Sequence, residues 1–239
     1  MPPAKKKTAS TTIRQSNTSP KKIAPSKKTA SRAMTVLERL YARYPVRHTH
    51  LNFASPWELL IATILSAQCT DVRVNQVTPV LFGRWPGPAE LAAAPRAEVE
   101  EVVRATGFFR NKARNIIDTA ALVVSRFNGQ VPAAMEALVS LPGVARKTAN
   151  VVLWSAFGIN EGLAVDTHVS RIAMRLGLTP DRDPVRAEAV LTSLFPREHW
   201  GEVNHMLVWF GRQVCTARSP RCNECEMLDI CERFQVDHA

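Results

Sequence analysis

The stretch Leu141-Pro142-Gly143-Val144-Ala145-Arg146-Lys147-Thr148-Ala149-Asn150 joins two apolar segments and decides how the chain folds around it. Pro142 has no backbone N–H and Gly143 tolerates a positive φ, so the pair predicts a tight turn. A helix is then predicted over 146–157, and its first backbone N–H groups, which have no partner inside the helix, form an anion-binding end. Lys147 lies in that first turn, where the helix dipole disfavours a cation. This misfit makes Lys147 the first functional candidate.

The charge of the chain is concentrated at its N-terminus. The 239 residues carry a formal net charge of +10, yet residues 1–32 contain nine Lys or Arg and no acidic residue, which leaves 22 basic and 21 acidic residues in the remainder. Residues 1–31 are rich in Lys, Ser, Thr and Pro, so they predict a disordered basic tail. The tail either solubilises the protein or adds a salt-sensitive attraction to nucleic acid. The nearly neutral body must bind nucleic acid through local patches.

No segment predicts export or membrane insertion. The longest apolar run, around 151–159, is too short to cross a membrane and contains Ser155. The N-terminus lacks the apolar core of a secretory signal. The sequence therefore predicts a cytoplasmic, nucleoid-associated protein that is not secreted and has no membrane partner.

Helical periodicity runs through the body of the chain without an alternating strand pattern. Ser55-Pro56-Trp57-Glu58 predicts a capping box that opens a helix reaching Leu65. Gly and Pro mark the loops, including Trp85-Pro86-Gly87-Pro88. The fold class is therefore predicted to be all-α, with many short helices. Besides the capped segment, helices are expected from Met34 onward and over about 71–82, 96–105, 111–127, 133–139, 146–157, 167–176, 184–194 and 199–213.

Four of the five cysteines form one C-terminal cluster with the spacing Cys215-x6-Cys222-x2-Cys225-x5-Cys231. Such short spacings let four thiolates share one metal centre, and a reducing compartment disfavours disulfides. The choice lies between a structural zinc and an iron–sulfur cluster, and the presence of only one close pair modestly favours the cluster. Arg218 and Arg221 lie in the first loop, where they are either phosphate contacts or ordinary solvated arginines.

Asp166 is the carboxylate candidate to accompany Lys147. It stands in Val165-Asp166-Thr167-His168-Val169, directly before a predicted helix. An N-cap is the commonest use of such an aspartate, but a cap also holds the carboxylate at a fixed place. A lysine and a carboxylate at two helix N-termini could perform nucleophilic chemistry at a sugar carbon. His168 is predicted to pack or orient the site rather than to transfer a proton.

These motifs together resemble the endonuclease III family of bifunctional DNA glycosylase/AP lyases in the helix-hairpin-helix superfamily. The resemblance runs from about Met34 to Phe234 and rests on LPGVARKTANVV, VDTHV, the cysteine cluster and LLIATILSAQCTDVRVN. It implies that the cysteines hold a [4Fe–4S] cluster. It also implies that Lys147 attacks C1′ of the damaged nucleotide and forms a Schiff base, which β-elimination resolves 3′ to the lesion. Asp166 is implied to be the essential carboxylate.

The resemblance further implies a two-domain architecture with the active site in the groove between the domains. A six-helix barrel-like domain, 49–160, carries the hairpin, and a discontinuous iron–sulfur cluster domain combines 32–48 with 161–239. The expected substrate is duplex DNA carrying oxidised pyrimidines, bound by a monomer, with the target base flipped out of the stack. Gln68 corresponds to the residue that fills the gap, and Phe108 or Phe109 to the wedge. Asp71 and His168 are further candidates for the substrate pocket.

Ala145 departs from the family pattern, which has a second hairpin glycine there. A positive φ would strain alanine, whereas a helical φ would leave only the backbone N–H important, and we expect the helical φ. The DNA phosphate is then expected to meet the backbone of Gly143, Ala145 and Arg146. Two alternatives are a monofunctional adenine glycosylase, which lacks the lysine, and a non-catalytic helix-hairpin-helix protein, which needs neither Lys147 nor Asp166. A third is a redox sensor that uses the cluster for electron transfer, a role that could coexist with repair.

Overall fold

The computed structural model describes residues 25–45 and 48–232, and every regular element in this part of the chain is helical. The predicted all-α class is confirmed. Eleven α-helices occur in the described ranges: α1 (Lys27–Arg43), α2 (Pro56–Leu65), α3 (Asp71–Arg84), α4 (Pro88–Ala92), α5 (Arg96–Val103), α6 (Phe109–Phe127), α7 (Met135–Val139), α8 (Arg146–Phe157), α9 (Thr167–Arg175), α10 (Pro184–Leu194) and α11 (Trp200–Gln213). No helix among them is long and apolar enough to cross a bilayer.

The first helix begins earlier than predicted. Ser26 caps α1 by accepting a hydrogen bond from the Thr29 N–H, and the helix then starts at Lys27. The prediction that disorder reaches residue 31 is therefore wrong for residues 27–31, because a serine cap outweighs the polar composition that follows it. The rest of that prediction, for residues 1–24, lies outside the described residues.

The short helix α4 was absent from the sequence prediction. The prolines and glycine around this helix predict a loop. Pro88 instead occupies the first helical turn, where its missing N–H leaves no intrahelical hydrogen bond unmade. The predicted capping box before α2 forms in modified shape. Ser55 Oγ accepts from the Glu58 N–H at 3.2 Å, while the Glu58 carboxylate accepts from the Ala54 N–H at 2.7 Å.

Two separate hydrophobic clusters underlie the fold. The first draws buried side chains from residues 51–153, in α2 to α8 and their loops. The second combines the apolar face of α1, which carries Ala33, Val36, Leu37 and Leu40, with residues 163–227. The first helix, α1, thus packs against residues from the C-terminal third of the chain. The predicted domain boundaries at 48 and 160 remain a prediction.

Arginines of α1 bind the segment that carries the last two cysteines. Arg32 pairs with Glu232 at 2.6 Å, and Arg43 pairs with Glu226 at 2.9 Å. Arg39 donates two hydrogen bonds to Asp229. These three pairs fix the cysteine-bearing segment on the polar flank of α1.

Candidate active site

The turn between α7 and α8 has the geometry that its sequence predicts. Gly143 has φ +78°, and a Cβ at this position would lie 2.8 Å from Asn115 Nδ2, so both conformation and space require glycine. Thr119 Oγ1 donates to the Pro142 carbonyl at 3.0 Å, and Leu141 is buried in the first core. The turn is therefore anchored to the protein body while the N-terminus of α8 faces outward.

Ala145 is the N-cap of α8, with φ −84° and ψ 167°. The expected helical conformation is wrong, because the residue is extended at the helix boundary, yet its φ is negative and the alanine carries no strain. Its side chain provides no cap for the helix. The first N–H groups of α8 are therefore left for an anionic ligand.

Asp166 performs two tasks with its two oxygens. Oδ1 accepts hydrogen bonds from the backbone N–H groups of His168 and Val169, both at 2.8 Å, so the residue is the N-cap of α9. Oδ2 lies 3.6 Å from Lys147 Nζ. The lysine side chain is 51% exposed and the aspartate side chain 15%, so the ammonium faces the solvent and the carboxylate stands behind it. The structure thus brings together residues 19 positions apart in the sequence.

Lys147 and Asp166 line a cavity of about 880 Å³. Four arginines share its wall: Arg171, Arg175, Arg182 and Arg212. Positive charge on this scale suits a polyanionic ligand. None of these arginines was predicted from the sequence, although Arg171 and Arg175 stand four residues apart on α9, the spacing that places two side chains on one helix face.

His168 and Asp71 lie at this site, as predicted. His168 is half-buried, burial lowers its pKa, and its Nδ1 lies 3.2 Å from Arg171 Nη2. A neutral, oriented ring is consistent with the predicted positioning role. The carboxylate of Asp71, which lines an adjoining cavity of about 250 Å³, accepts a hydrogen bond from Arg212 at 2.8 Å.

Gln68 and Phe108 stand in backbone conformations that are rare for their residue types. Gln68 has φ 53° and lines the cavity with Lys147. Phe108 has φ 48° and is 65% exposed. Phe109 instead packs against the first core, with the guanidinium groups of Arg104 and Arg110 near its ring. Strained backbone of this kind is concentrated at functional sites. Of the two candidate wedge residues, Phe108 is the one that projects outward.

The side chain of Arg146 forms an ion pair within the protein. Its guanidinium donates to the Glu188 carboxylate of α10 at 3.0 Å, and this contact raises the pKa of Arg146. Asn150 Nδ2 also approaches Glu188 at 3.4 Å. The predicted DNA contact of Arg146 is therefore left to its backbone N–H, while its side chain ties α8 to α10.

The four clustered cysteines are half-buried and line one small apolar cavity with Leu176, Phe210 and Val214. Four thiol groups around one apolar cavity are the donor set that a cubane iron–sulfur cluster uses, so the residues present fit such a cluster. Arg218 and Arg221, in the loop before Cys222, are both exposed, and their contact with DNA remains a prediction.

His205 is buried beside the site, with Ser155 Oγ 3.4 Å from its Nε2. Burial lowers its pKa to about 4, assisted by the nearby charges of His48 and His50 and opposed by Asp71. In the unfolded chain the His205 imidazole is protonated below about pH 6.5, whereas in the folded chain it stays neutral down to about pH 4. Folding stability is therefore expected to fall by about 2 kcal/mol between pH 7 and pH 5 on this account.

Urea unfolding of wild type and His205→Gln at the two pH values measures this effect. The variant is expected to lose most of that dependence, because it removes the titrating ring. An equally steep loss of stability in His205→Gln would contradict the assignment.

Comparison with known proteins identifies the arrangement. A model of the HhH-GPD superfamily of base excision DNA repair proteins matches residues 61–197, and a model of the iron-sulfur binding domain of endonuclease III matches residues 215–231. Endonuclease III of Synechocystis sp. is 49% identical over 216 residues, covering 90% of this chain and 97% of that protein.

Two of the solved structures that match this chain are similar to it in both fold and sequence. One is a non-covalent endonuclease III–DNA complex, with a TM-score of 0.81 and 41% identity over 85% of this chain and 95% of that chain. The other is a trapped endonuclease III–DNA covalent intermediate, with the same TM-score and identity over 85% and 96%. The match to the iron-sulfur domain model and the cysteine donor set mean that the protein carries a [4Fe–4S] cluster. The chain therefore belongs to the endonuclease III family of base excision DNA repair glycosylases.

Proposed function

We propose that this protein is a bifunctional DNA N-glycosylase and AP lyase that removes oxidised pyrimidines from duplex DNA. The observation that carries the proposal is the pairing of Lys147 Nζ with Asp166 Oδ2 at 3.6 Å, at the N-termini of two helices and in an arginine-lined cavity. A binding protein needs neither group there. The preference for oxidised pyrimidines rests on membership of the family.

Lys147 is the nucleophile in this proposal. Its amine, after losing a proton, attacks C1′ of the flipped nucleotide, and the C1′–N bond to the base breaks as the base departs with the bonding electrons and takes up a proton. The sugar ring opens to a Schiff base between C1′ and Nζ. Loss of a C2′ proton then drives β-elimination, which breaks the C3′–O bond and cuts the strand 3′ to the lesion.

Asp166 stabilises the reaction electrostatically. As the base departs, positive charge develops on the sugar, and a carboxylate held by two backbone N–H groups meets that charge without having to reorganise. Its Oδ2 is also an acceptor placed 3.6 Å from Nζ for the proton that the lysine must release. His168 and Asp71 shape the pocket around the two catalytic groups.

The DNA backbone meets the N-terminus of α8, where the N–H groups of Gly143, Ala145 and Arg146 surround a phosphate. Gln68 fills the space that the flipped base vacates, and Phe108 enters the stack beside it. Two solved relatives of this chain are DNA complexes, which supports this docking. Arg218 and Arg221 add phosphate contacts at the far end of the groove.

Cys215, Cys222, Cys225 and Cys231 are the proposed ligands of the cluster, which supplies a covalent cross-link between distant parts of the C-terminal segment. The link holds the loop with Arg218 and Arg221 in place.

Both proposed catalytic residues come from one chain, so a monomer is sufficient for the reaction. We assign the hairpin to a domain spanning 49–160 and the cluster to one combining 32–48 with 161–239, in a protein that works at the nucleoid.

A panel of duplexes tests the proposal with the wild-type protein. Oligonucleotides carrying an oxidised pyrimidine, an oxidised purine, an alkylated base or an abasic site are incubated with the protein, with and without borohydride. We expect cleavage of the oxidised-pyrimidine and abasic duplexes and a borohydride-dependent adduct on both. Base release without strand cleavage or adduct would instead identify a monofunctional glycosylase.

A further inference from the structure

Lys112 of α6 is an unexpected interior residue. It is only 4% exposed, yet it carries an ammonium group. Nζ donates to two backbone carbonyls, Leu65 O at 2.8 Å and Thr106 O at 2.7 Å. Among the described residues it forms no ion pair, and burial lowers its pKa. Such a group is costly inside a protein, so packing alone does not explain it.

The two carbonyls belong to loops that are distant in the sequence. Leu65 ends α2 and leads through Ser66 and Ala67 to Gln68. Thr106 ends a single helical turn and leads through Gly107 to Phe108. The negative end of the α2 dipole offsets part of the cost of the charge. One side chain therefore connects the starts of both loops.

Each of these loops holds a non-glycine residue with positive φ. Three such residues occur in the described part of the chain: Gln68, Phe108 and Asn128. Asn128 is an ordinary helix C-cap. The other two cost about 1 kcal/mol or more each and persist only where the surroundings fix them. Lys112 binds the segment directly before each.

We propose that Lys112 is a positioning residue that sets the spacing of the Gln68 and Phe108 loops, so that both enter a duplex together. The inference rests on the proposed function of these two residues in opening the DNA. Because the loops adopt their strained backbone conformations during folding, DNA binding does not have to supply the free energy for ordering them. An abasic single strand offers no stack to open, so its cleavage does not require Gln68 and Phe108 to enter a duplex.

Lys112→Met tests this, because methionine keeps the length and apolar stem but donates no hydrogen bond. Lyase rates are measured on one abasic oligonucleotide, single-stranded and in a duplex. We expect a loss of at least tenfold in kcat/KM on the duplex and a change within twofold on the single strand. The fluorescence of 2-aminopurine placed beside the abasic site reports unstacking. We expect it to increase less when the duplex binds the variant than when it binds the wild-type protein.

Two further variants complete the test. Arg96→Met removes one positive charge from an exposed ion pair of α5 and is expected to preserve the wild-type ratio of duplex to single-strand rates. Lys112→Leu, which likewise donates no hydrogen bond, replaces Lys112→Met if that variant does not fold. An unchanged ratio in the Lys112 variant, or equal losses on both substrates, overturns the inference. Failure of the wild-type protein to cleave either substrate would instead overturn the proposed lyase.

Discussion

Lys147→Ala is expected to abolish the borohydride-dependent adduct with abasic DNA and to lower lyase turnover at least about a thousandfold. Borohydride delivers hydride to the C=N bond of a Schiff base and leaves a stable secondary amine, so the adduct reports the lysine–sugar bond directly. The side chain is half-exposed and stands at the second position of α8, where a cation is unfavourable. Its loss is therefore expected to leave the melting temperature unchanged or slightly raised.

Lys28→Ala is the matched control for this variant. Lys28 occupies the same position in α1, one residue after the helix start, and is likewise exposed. It is expected to form the adduct at the wild-type level. An adduct of undiminished yield in Lys147→Ala would place the nucleophile elsewhere and remove the basis of the proposed mechanism.

Asp166→Asn separates the two tasks of this residue. Asparagine caps a helix as well as aspartate does, so α9 is expected to keep its N-terminus and the protein its stability within about 0.5 kcal/mol. The negative charge facing Nζ is lost, and with it the stabilisation of positive charge on the sugar. Single-turnover base release is therefore expected to fall by about 100-fold to 1,000-fold, with the affinity for abasic duplex nearly unchanged.

Asp183→Asn makes the same change at a helix cap outside the proposed catalytic pair. Asp183 caps α10 by accepting from the Arg186 N–H at 2.9 Å. It is expected to retain wild-type turnover and binding. Full base-release activity in Asp166→Asn would mean that Asp166 is only a helix cap.

Local signals predicted much of the site because its key groups stand at helix termini. Pro142 and Gly143 marked the turn, and the positions of Lys147 and Asp166 followed from the helix starts they create. Cysteine spacing identified a metal centre without any tertiary contact. Features that depend on only three or four neighbouring residues leave a local signal in the sequence.

Contacts across the groove could not be read in this way. Glu188 lies 42 residues from Arg146, and Arg212 lies 141 residues from Asp71. Nothing in the local sequence distinguishes Glu188 from other acidic residues of an amphipathic helix. Lys112 was equally hidden, since a lysine in a polar stretch predicts exposure and only the meeting of two loops buries it.

The ion pairs between α1 and the cysteine-bearing segment bear on the order in which the protein is assembled. The first core uses a contiguous span, residues 51–153, and can close while later residues are still being synthesised. The second must wait, because α1 pairs with Glu226, Asp229 and Glu232, which are synthesised much later than α1 itself. Asp166 lies on the late side of this division. During biosynthesis the hairpin can therefore fold before Asp166 is held in place opposite Lys147.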